Sequence, residues 1–99
     1  IKYASFNAYK DGAVLNDINN VYPFKSGIVV FIGEKEDYGN TVIIQGMDGI
    51  DYWYGKITNL GVKLYDYVET KNIICQAKDN KLYVLFMKDN KILDYNDYL

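Results

Sequence analysis

Residues 38–57 read YGNTVIIQGMDGIDYWYGKI, in which apolar runs alternate with residues that favour turns. Val, Ile, Tyr and Trp dominate the two apolar runs, 41–46 and 50–57, as expected of strands with a buried face. Asp48 and Gly49 stand between them. An Asp-Gly pair in this position is a strong signal for a two-residue type I′ hairpin, which needs positive φ at both central residues. The sequence therefore predicts an antiparallel pair of strands here.

The same alternation of apolar runs with Gly, Asn and Asp continues through the rest of the chain. No window shows a sustained 3.6-residue apolar period, so little helix is expected. Short strands at regular spacing predict an all-β fold, a single antiparallel β-sandwich or open barrel. The predicted strands lie near residues 27–33, 41–46, 50–57, 62–68, 72–77, 82–88 and 91–94.

Two further local features lead to predictions. Residues 1–20 are less regular, so we expect an irregular N-terminal flank followed by the β domain over residues 21–99. The tetrapeptide Lys-Asp-Asn-Lys occurs at residues 78–81 and again at 88–91. Asn and Asp tolerate turn conformations, so both copies are predicted to form hairpin turns.

Composition restricts the possible function classes. The chain has 99 residues, 49% of them apolar, which allows one domain with a single core. Its formal net charge is -2 and its lysines are mixed with aspartates, so no basic face for nucleic acid is expected. All 11 basic residues are lysines, so the bidentate guanidinium fork is missing. Cys75 is the single cysteine, which excludes an internal disulfide and favours a small buried side chain.

Four stretches recur in the order and spacing of a known family: residues 27–33 (GIVVFIG), 38–57, 62–68 (VKLYDYV) and 94–99 (DYNDYL). They resemble the core of the LytM (lysostaphin-type) zinc metallopeptidases. In that family the order is a G-x-V-x-x-x-G strand, YGN-x-V-x-I-x-H-x-DG with Y-x-HL, V-x-x-G-D-x-V and D-P-x-x-Y-L. The resemblance covers residues 21–99 and implies a LytM-like β fold of the barrel-sandwich hybrid type.

The residues that carry the chemistry of this family are replaced. Gly46 and Gly55 stand where the family has histidines, and its H-x-H dyad aligns with Lys81-Leu82-Tyr83. Imidazole binds a divalent cation while neutral and titrates near neutrality, so the family depends on it. The chain contains no histidine. We therefore expect no catalytic residue, no metal ligand and no cofactor, that is, a degenerate LytM-like domain that is not an enzyme.

Among degenerate relatives, residues 42–45, 53–55, 62–68 and 82–83 most resemble the membrane-anchored, non-catalytic LytM-like regulators of sporulation. This resemblance implies a protein partner, an intramembrane metalloprotease complex that the regulator holds inactive until a processing serine protease cleaves the regulator. It also implies an extracytoplasmic location, between the mother-cell and forespore membranes. The resemblance further implies a membrane anchor upstream of Ile1. No run in residues 1–99 approaches the ~18–20 apolar residues of a membrane span.

The family's histidines point into one groove, and side chains alternate across a strand. By that parity Trp53, Gly55, Lys81 and Tyr83 are the candidate partner-binding residues of the vestigial groove. The opposite face should hold Tyr54, Leu82 and Val84. Aromatic rings rimmed by lysine suit a protein interface, whereas the alternative interpretation is a set of ordinary half-buried sheet aromatics.

Two other functions remain as alternatives. An active peptidoglycan endopeptidase would need non-standard ligands, and a set of carboxylates suits Ca²⁺ or Mg²⁺ better than catalytic Zn²⁺. Residues 61–74 follow the pattern G-V-x-x-x-D-x-V-x-x-x-x-x-I, which is also found in barrel-sandwich carrier or adaptor modules. A biotinyl carrier needs a lysine flanked by methionines, whereas Lys71 lies between Thr70 and Asn72.

Overall fold

The computed structural model describes all 99 residues and contains eleven strands, two short 3-10 turns and no α-helix. None of its helical segments is long and apolar enough to span a membrane. The 3-10 turns are Lys78–Asn80 and Tyr95–Asp97. The strands are β1 (Ser5–Tyr9), β2 (Gly12–Asn16), β3 (Asn20–Val21), β4 (Gly27–Lys35), β5 (Gly39–Gly46), β6 (Asp51–Gly55), β7 (Ile57–Thr58), β8 (Tyr67–Val68), β9 (Cys75–Ala77), β10 (Lys81–Lys88) and β11 (Lys91–Ile92).

Two sheets pack around one core. The large sheet has the order β1-β2-β10-β6-β5-β4-β8, with β11 paired to β10, and the small sheet has the order β3-β9-β7. Every pairing is antiparallel. The core holds 18 buried residues from both sheets, of which Tyr52, Tyr54 and Phe86 are the largest. The predicted all-β, antiparallel fold is confirmed.

One extra residue in β4 changes which face its side chains occupy. Val29 pairs with Ile44, whereas Phe31 pairs with Ile43, so Val30 is the extra residue of a β-bulge. Without the bulge Phe31 would lie on the same face as Val29, which is fully buried in the core. With it, Phe31 lies on the outer face of the sheet, where the Nζ of Lys35 is 4.4 Å from its ring centroid.

The N-terminal region is more regular than predicted. The expectation of an irregular flank over residues 1–20 is wrong for most of its length, because β1 and β2 form a hairpin there. β2 pairs with β10, so this hairpin completes the large sheet. Ala13 and Leu15 of β2 are fully buried. β1 is an edge strand without a buried side chain, and its apolar pattern is correspondingly weak.

Two predicted strands are shorter than expected. Only Tyr67–Val68 of the stretch 62–68 forms a strand, and only Cys75–Ala77 of the stretch 72–77 does so. Tyr65 has a φ of 72°, which interrupts extended backbone, and its N–H donates to the Val29 carbonyl at 2.7 Å. The other five predicted strands are confirmed, with ends that differ slightly.

The turns differ in type from the predictions. At Asp48-Gly49 only Gly49 has positive φ (80°), and the Gly46 N–H donates to the Ile50 carbonyl across a three-residue loop. A type I turn followed by a left-handed glycine is the usual conformation of such a loop. The predicted two-residue hairpin instead occurs between β10 and β11, where Asp89 and Asn90 have φ of 51° and 62°.

The other Lys-Asp-Asn-Lys copy is a turn but not a hairpin. Asp79 and Asn80 have φ of 55° and 59°, and the Lys81 N–H donates to the Lys78 carbonyl. This turn joins β9 of the small sheet to β10 of the large sheet. The prediction of a hairpin at this copy is therefore wrong, because the flanking strands belong to different sheets.

Cys75 lies in β9 at 1% exposure and belongs to the core, as the sequence predicted. Burial raises the pKa of its thiol to about 12. The thiolate is the reactive form of cysteine, and a thiol with this pKa stays protonated near neutral pH.

We therefore expect native protein to resist thiol-specific reagents at about pH 8, and to react fully once unfolded, when the pKa returns to about 8.5. Release of the coloured thiolate from an aromatic disulfide reagent, with and without concentrated guanidinium chloride, measures this difference. Fast reaction of the folded protein would show that the core opens around β9.

Candidate functional site

The candidate partner-binding residues predicted from the sequence lie on the outer face of β6 and β10. In the register of these strands Tyr83 pairs with Gly55, and Leu85 pairs with Trp53. Tyr54, Leu82 and Val84 are fully buried in the core. Trp53, Gly55, Lys81 and Tyr83 consequently lie on the opposite face, as parity predicts, and we call this side of the sheet the groove face. Their role in partner binding stays a prediction.

Gly55 has no room for a side chain. A Cβ atom at this position would lie 2.8 Å from the Tyr38 carbonyl oxygen and 2.9 Å from the Tyr38 Cβ. The Lys56 N–H donates to that same carbonyl at 2.7 Å, which fixes it in place. Tyr38 itself is 4% exposed. The place of a family histidine is therefore occupied by the backbone and side chain of Tyr38.

Gly46, the other glycine at a histidine position of the family, is not part of the groove face. It lies on the same side of β5 as Val42 and Ile44, which face the core. A Cβ atom there would lie 2.5 Å from a carboxylate oxygen of Asp48, and the Tyr52 hydroxyl donates to that carboxylate at 2.6 Å. The structure therefore does not bring Gly46 and Gly55 together in one site.

A row of aromatic rings crosses the groove face. The rings of Tyr83 and Tyr9 are 4.6 Å apart, those of Tyr9 and Tyr38 are 5.7 Å apart, and those of Tyr38 and Trp53 are 5.8 Å apart. All three pairs meet edge to face, the arrangement that aromatic quadrupoles favour. We call these four residues the aromatic row.

The backbone around the aromatic row holds it in place. The Tyr9 hydroxyl donates to the Asp37 carbonyl at 2.7 Å, and the Tyr38 hydroxyl is 3.4 Å from the Tyr9 carbonyl. Burial, together with the negative charge of Asp11, raises the pKa of Tyr38 to about 12. Tyr38 therefore remains a neutral hydrogen-bond donor at physiological pH.

Trp53 covers a small apolar cluster outside the main core. It pairs with Leu85 on one side and Ile43 on the other, and these two residues are 5% and 6% exposed. Neither belongs to the main core cluster. Trp53 itself is half-buried, and the Nζ of Lys35 lies 5.1 Å from its ring centroid. Trp53 is thus neither a fully exposed anchor nor a buried plug.

Lys56 reaches the aromatic row because its backbone is left-handed. Strict alternation would place its side chain on the core face beside Tyr54, but a φ of 51° ends β6 at this point. Its Nζ instead lies 4.4 Å from the ring centroid of Tyr83 and 5.2 Å from that of Tyr9. Distances of this kind are typical of cation–π contacts.

Beside Tyr83 the groove face opens into a cavity of about 440 Å³. We call it the lysine pocket. Its lining consists of Lys56, Lys78, Asp79, Lys81 and Tyr83. The one ion pair of the structure, between Lys10 and Asp37 at 3.8 Å, lies elsewhere. The three ammonium groups of the pocket therefore make no ion pair within the chain.

Three residues of this site, Tyr9, Tyr38 and Lys56, are not predicted from the sequence. Tyr9 falls in the region predicted to be irregular, although β1 brings it to Tyr83. Tyr38 is part of the YGN stretch that resembles the family, but nothing in the sequence shows that it packs on Gly55. Lys56 has the wrong parity for the groove face, and a left-handed lysine carries no sequence signal.

These residues do not fit a zinc ion. No group of three or more His, Cys, Asp or Glu side chains is arranged to hold a metal. Gly55 offers no ligand and cannot take a side chain, while Lys81 and Tyr83 place an ammonium and a phenol where imidazoles would be needed. An ammonium group also repels a divalent cation at short distance.

Gly55→Ala should destabilise the fold by about 1–3 kcal/mol, because the new Cβ would overlap the fixed backbone of Tyr38. The matched control is Gly61→Ala, whose Cβ would meet only ordinary van der Waals contacts, the nearest at 3.6 Å from the Ile74 carbonyl oxygen. This control should change stability by less than about 0.5 kcal/mol. Urea unfolding of both variants gives the comparison, and equal stability of the two would contradict the close packing of Tyr38 on Gly55.

Comparison with known proteins agrees with this architecture. The catalytic domain of lysostaphin from Staphylococcus simulans superposes with a TM-score of 0.73 at 23% identity, covering 88% of this chain and 76% of that one. A chain of the SpoIIQ–SpoIIIAH pore-forming complex gives a TM-score of 0.78 at 18% identity, with coverage of 99% and 70%. LytU gives 0.76 at 19% identity, with coverage of 99% and 77%.

No curated protein matches the chain by sequence search. The likenesses to solved structures show a shared fold. The family model of peptidase family M23 matches residues 8–93, which span most of the chain and both sheets. The chain therefore belongs to peptidase family M23.

Proposed function

We propose that this chain is a non-catalytic domain that binds another protein through its groove face. The observation that supports this most is the replacement of the family's histidine positions. The space that a side chain would need at Gly55 is occupied by Tyr38, and Lys81 and Tyr83 line an open pocket. Aromatic rings and ammonium groups supply contact area and charge instead of metal chemistry. Tyr and Trp are enriched in protein interfaces because they offer large, rigid surfaces with a polar end.

Within this class, we favour a regulator resembling stage IV sporulation protein FA. Such a domain would hold an intramembrane metalloprotease complex inactive until a processing serine protease cleaves it. It would lie outside the cytoplasm, between the mother-cell and forespore membranes, and would be attached by an anchor upstream of Ile1. The sequence resemblance supports this choice. The presence of a similar fold in the SpoIIQ–SpoIIIAH pore-forming complex is consistent with a binding role.

An active peptidoglycan endopeptidase with non-standard ligands has less support. Such an enzyme needs several ligands around one metal, and no three side chains able to serve lie close enough together to hold one. In the lysine pocket the single carboxylate, Asp79, stands among three lysines. Because positive charges outnumber negative ones there by three to one, the pocket favours an anion over a cation.

The first test is for zinc and for hydrolysis. After dialysis against micromolar Zn²⁺, the domain should retain far less than one equivalent by elemental analysis, because three or four ligands cannot be assembled. Incubation with purified peptidoglycan should release no more soluble fragments than buffer does. The lysostaphin catalytic domain is the positive control. Zinc bound at one equivalent and removed by chelator, or hydrolysis above buffer, would overturn the proposal.

The second test is Trp53→Ala. Since Trp53 is half-buried over Ile43 and Leu85, we expect a loss of about 1–3 kcal/mol in stability, less than the ~3–5 kcal/mol of a fully buried aromatic. Retention of a co-expressed intramembrane metalloprotease should also weaken, by about 2 kcal/mol if Trp53 is an interface hot spot. Tyr65→Ala is the control, because Tyr65 is 73% exposed and its backbone is bonded to Val29 of β4, two strands away from β6 in the sheet. Equal retention by both variants would exclude Trp53 from the interface.

A further inference from the structure

The lysine pocket concentrates positive charge on a chain that is negative overall. Its lining contains three lysines and one carboxylate, Asp79, whereas the whole chain has a formal net charge of -2. A local excess of cations that is not neutralised within the chain raises the local concentration of anions. The pocket is therefore the part of the groove face best suited to an anionic group.

The backbone presents these lysines in a fixed arrangement. Lys78 and Lys81 are the first and last residues of the turn at Asp79-Asn80, and the Lys81 N–H donates to the Lys78 carbonyl. The two side chains therefore start from neighbouring points of the backbone. The Lys78 N–H in turn donates to the Lys56 carbonyl at 3.1 Å, which ties the third lysine to the same turn.

The backbone of Lys56 holds its side chain at the wall of the pocket. A left-handed φ of 51° is uncommon for a residue with a side chain and persists only where the surroundings enforce it. Here both backbone groups of Lys56 are hydrogen-bonded, to Tyr38 and to Lys78. The result is an ammonium group held over the rings of Tyr9 and Tyr83 at the wall of the pocket. Such preorganisation lowers the cost of ordering a charged side chain on binding.

We infer that the lysine pocket binds a carboxylate of an acidic peptide segment on the partner protein. This inference rests on the proposed function and specifies the chemistry of the partner. A cavity of about 440 Å³ holds one or two side chains. The Tyr83 ring offers an apolar wall for the methylene groups of Asp or Glu side chains. Inorganic phosphate has no such groups and would gain nothing from this wall. The negative charge of the chain as a whole disfavours extended polyanions such as nucleic acid or an anionic bilayer.

The experiment titrates isotope-labelled domain with the peptide acetyl-Gly-Glu-Asp-Glu-Gly-amide and follows backbone amide shifts by NMR. Its neutral counterpart, acetyl-Gly-Gln-Asn-Gln-Gly-amide, is the ligand control. We expect saturable shifts centred on Lys56, Lys78, Lys81 and Tyr83 with the acidic peptide alone. Added salt should weaken binding several-fold, because charges at a partly open pocket are screened.

The variants separate this pocket from other surface lysines. Lys81→Gln should weaken acidic-peptide binding about fivefold to tenfold, since it removes one charge-assisted contact. Lys63→Gln makes the same change of charge at an exposed position outside the pocket and should leave the affinity unchanged. Lys81 is itself exposed, so loss of folding is not expected to obscure the result. Equal effects of the two variants would overturn the inference.

Two further ligands test competing occupants. Inorganic phosphate that binds as tightly as the acidic peptide would show a general anion site and overturn the inference. Tighter binding of a soluble peptidoglycan fragment would overturn it in favour of a cell-wall ligand. Failure of the acidic peptide, with no zinc and no hydrolysis, would reject this inference alone. Hydrolysis of peptidoglycan would instead reject the proposed function, whatever the peptide does.

Discussion

The packing of Tyr38 on the bare backbone of Gly55 determines the shape of the groove face. The Tyr38 carbonyl accepts a hydrogen bond from the Lys56 N–H. The Tyr38 ring packs between the rings of Tyr9 and Trp53. Because Gly55 lacks a side chain, the two backbones can approach closely enough for this hydrogen bond to form. The end of β6, the left-handed turn at Lys56 and the position of the aromatic row all depend on this contact. A larger residue at position 55 would push Tyr38 away from β6 and so disturb the turn at Lys56 and the aromatic row.

This contact also changes the chemistry that the fold can support. A metal site needs imidazole or carboxylate groups that converge on an open point, together with groups that orient them. Here the central position is filled by a tyrosine, and the neighbouring positions carry a phenol and an ammonium group. Restoring one histidine would therefore not recreate a site, because Tyr38 and Lys81 would also have to change. The outer face of the large sheet presents aromatic and cationic side chains at these positions.

Much of the fold follows from the sequence, and the reasons are local. The strands around residues 27–33, 41–46 and 82–88 are long and rich in β-branched and aromatic residues, so their pattern is unambiguous. Parity then places Trp53 and Tyr83 on the correct face. Two of the failures occur where a single left-handed residue interrupts a pattern, at Tyr65 and at Lys56. Such conformations are imposed by hydrogen bonds from distant parts of the chain, which one sequence does not reveal.

The pairing of β2 with β10 has a consequence for how the groove face forms. The two strands are separated by more than half of the chain, and closing so long a loop is entropically costly, so their pairing is expected to form late in folding. Tyr9 meets Tyr83 only when this pairing is complete, because the β1–β2 hairpin carries Tyr9 to its place. A chain whose N-terminal hairpin has not yet folded, or has been removed by proteolysis, would therefore retain much of its sheet but lack a complete groove face. If the groove face binds a partner as proposed, only a domain with its whole sheet intact would be recognised.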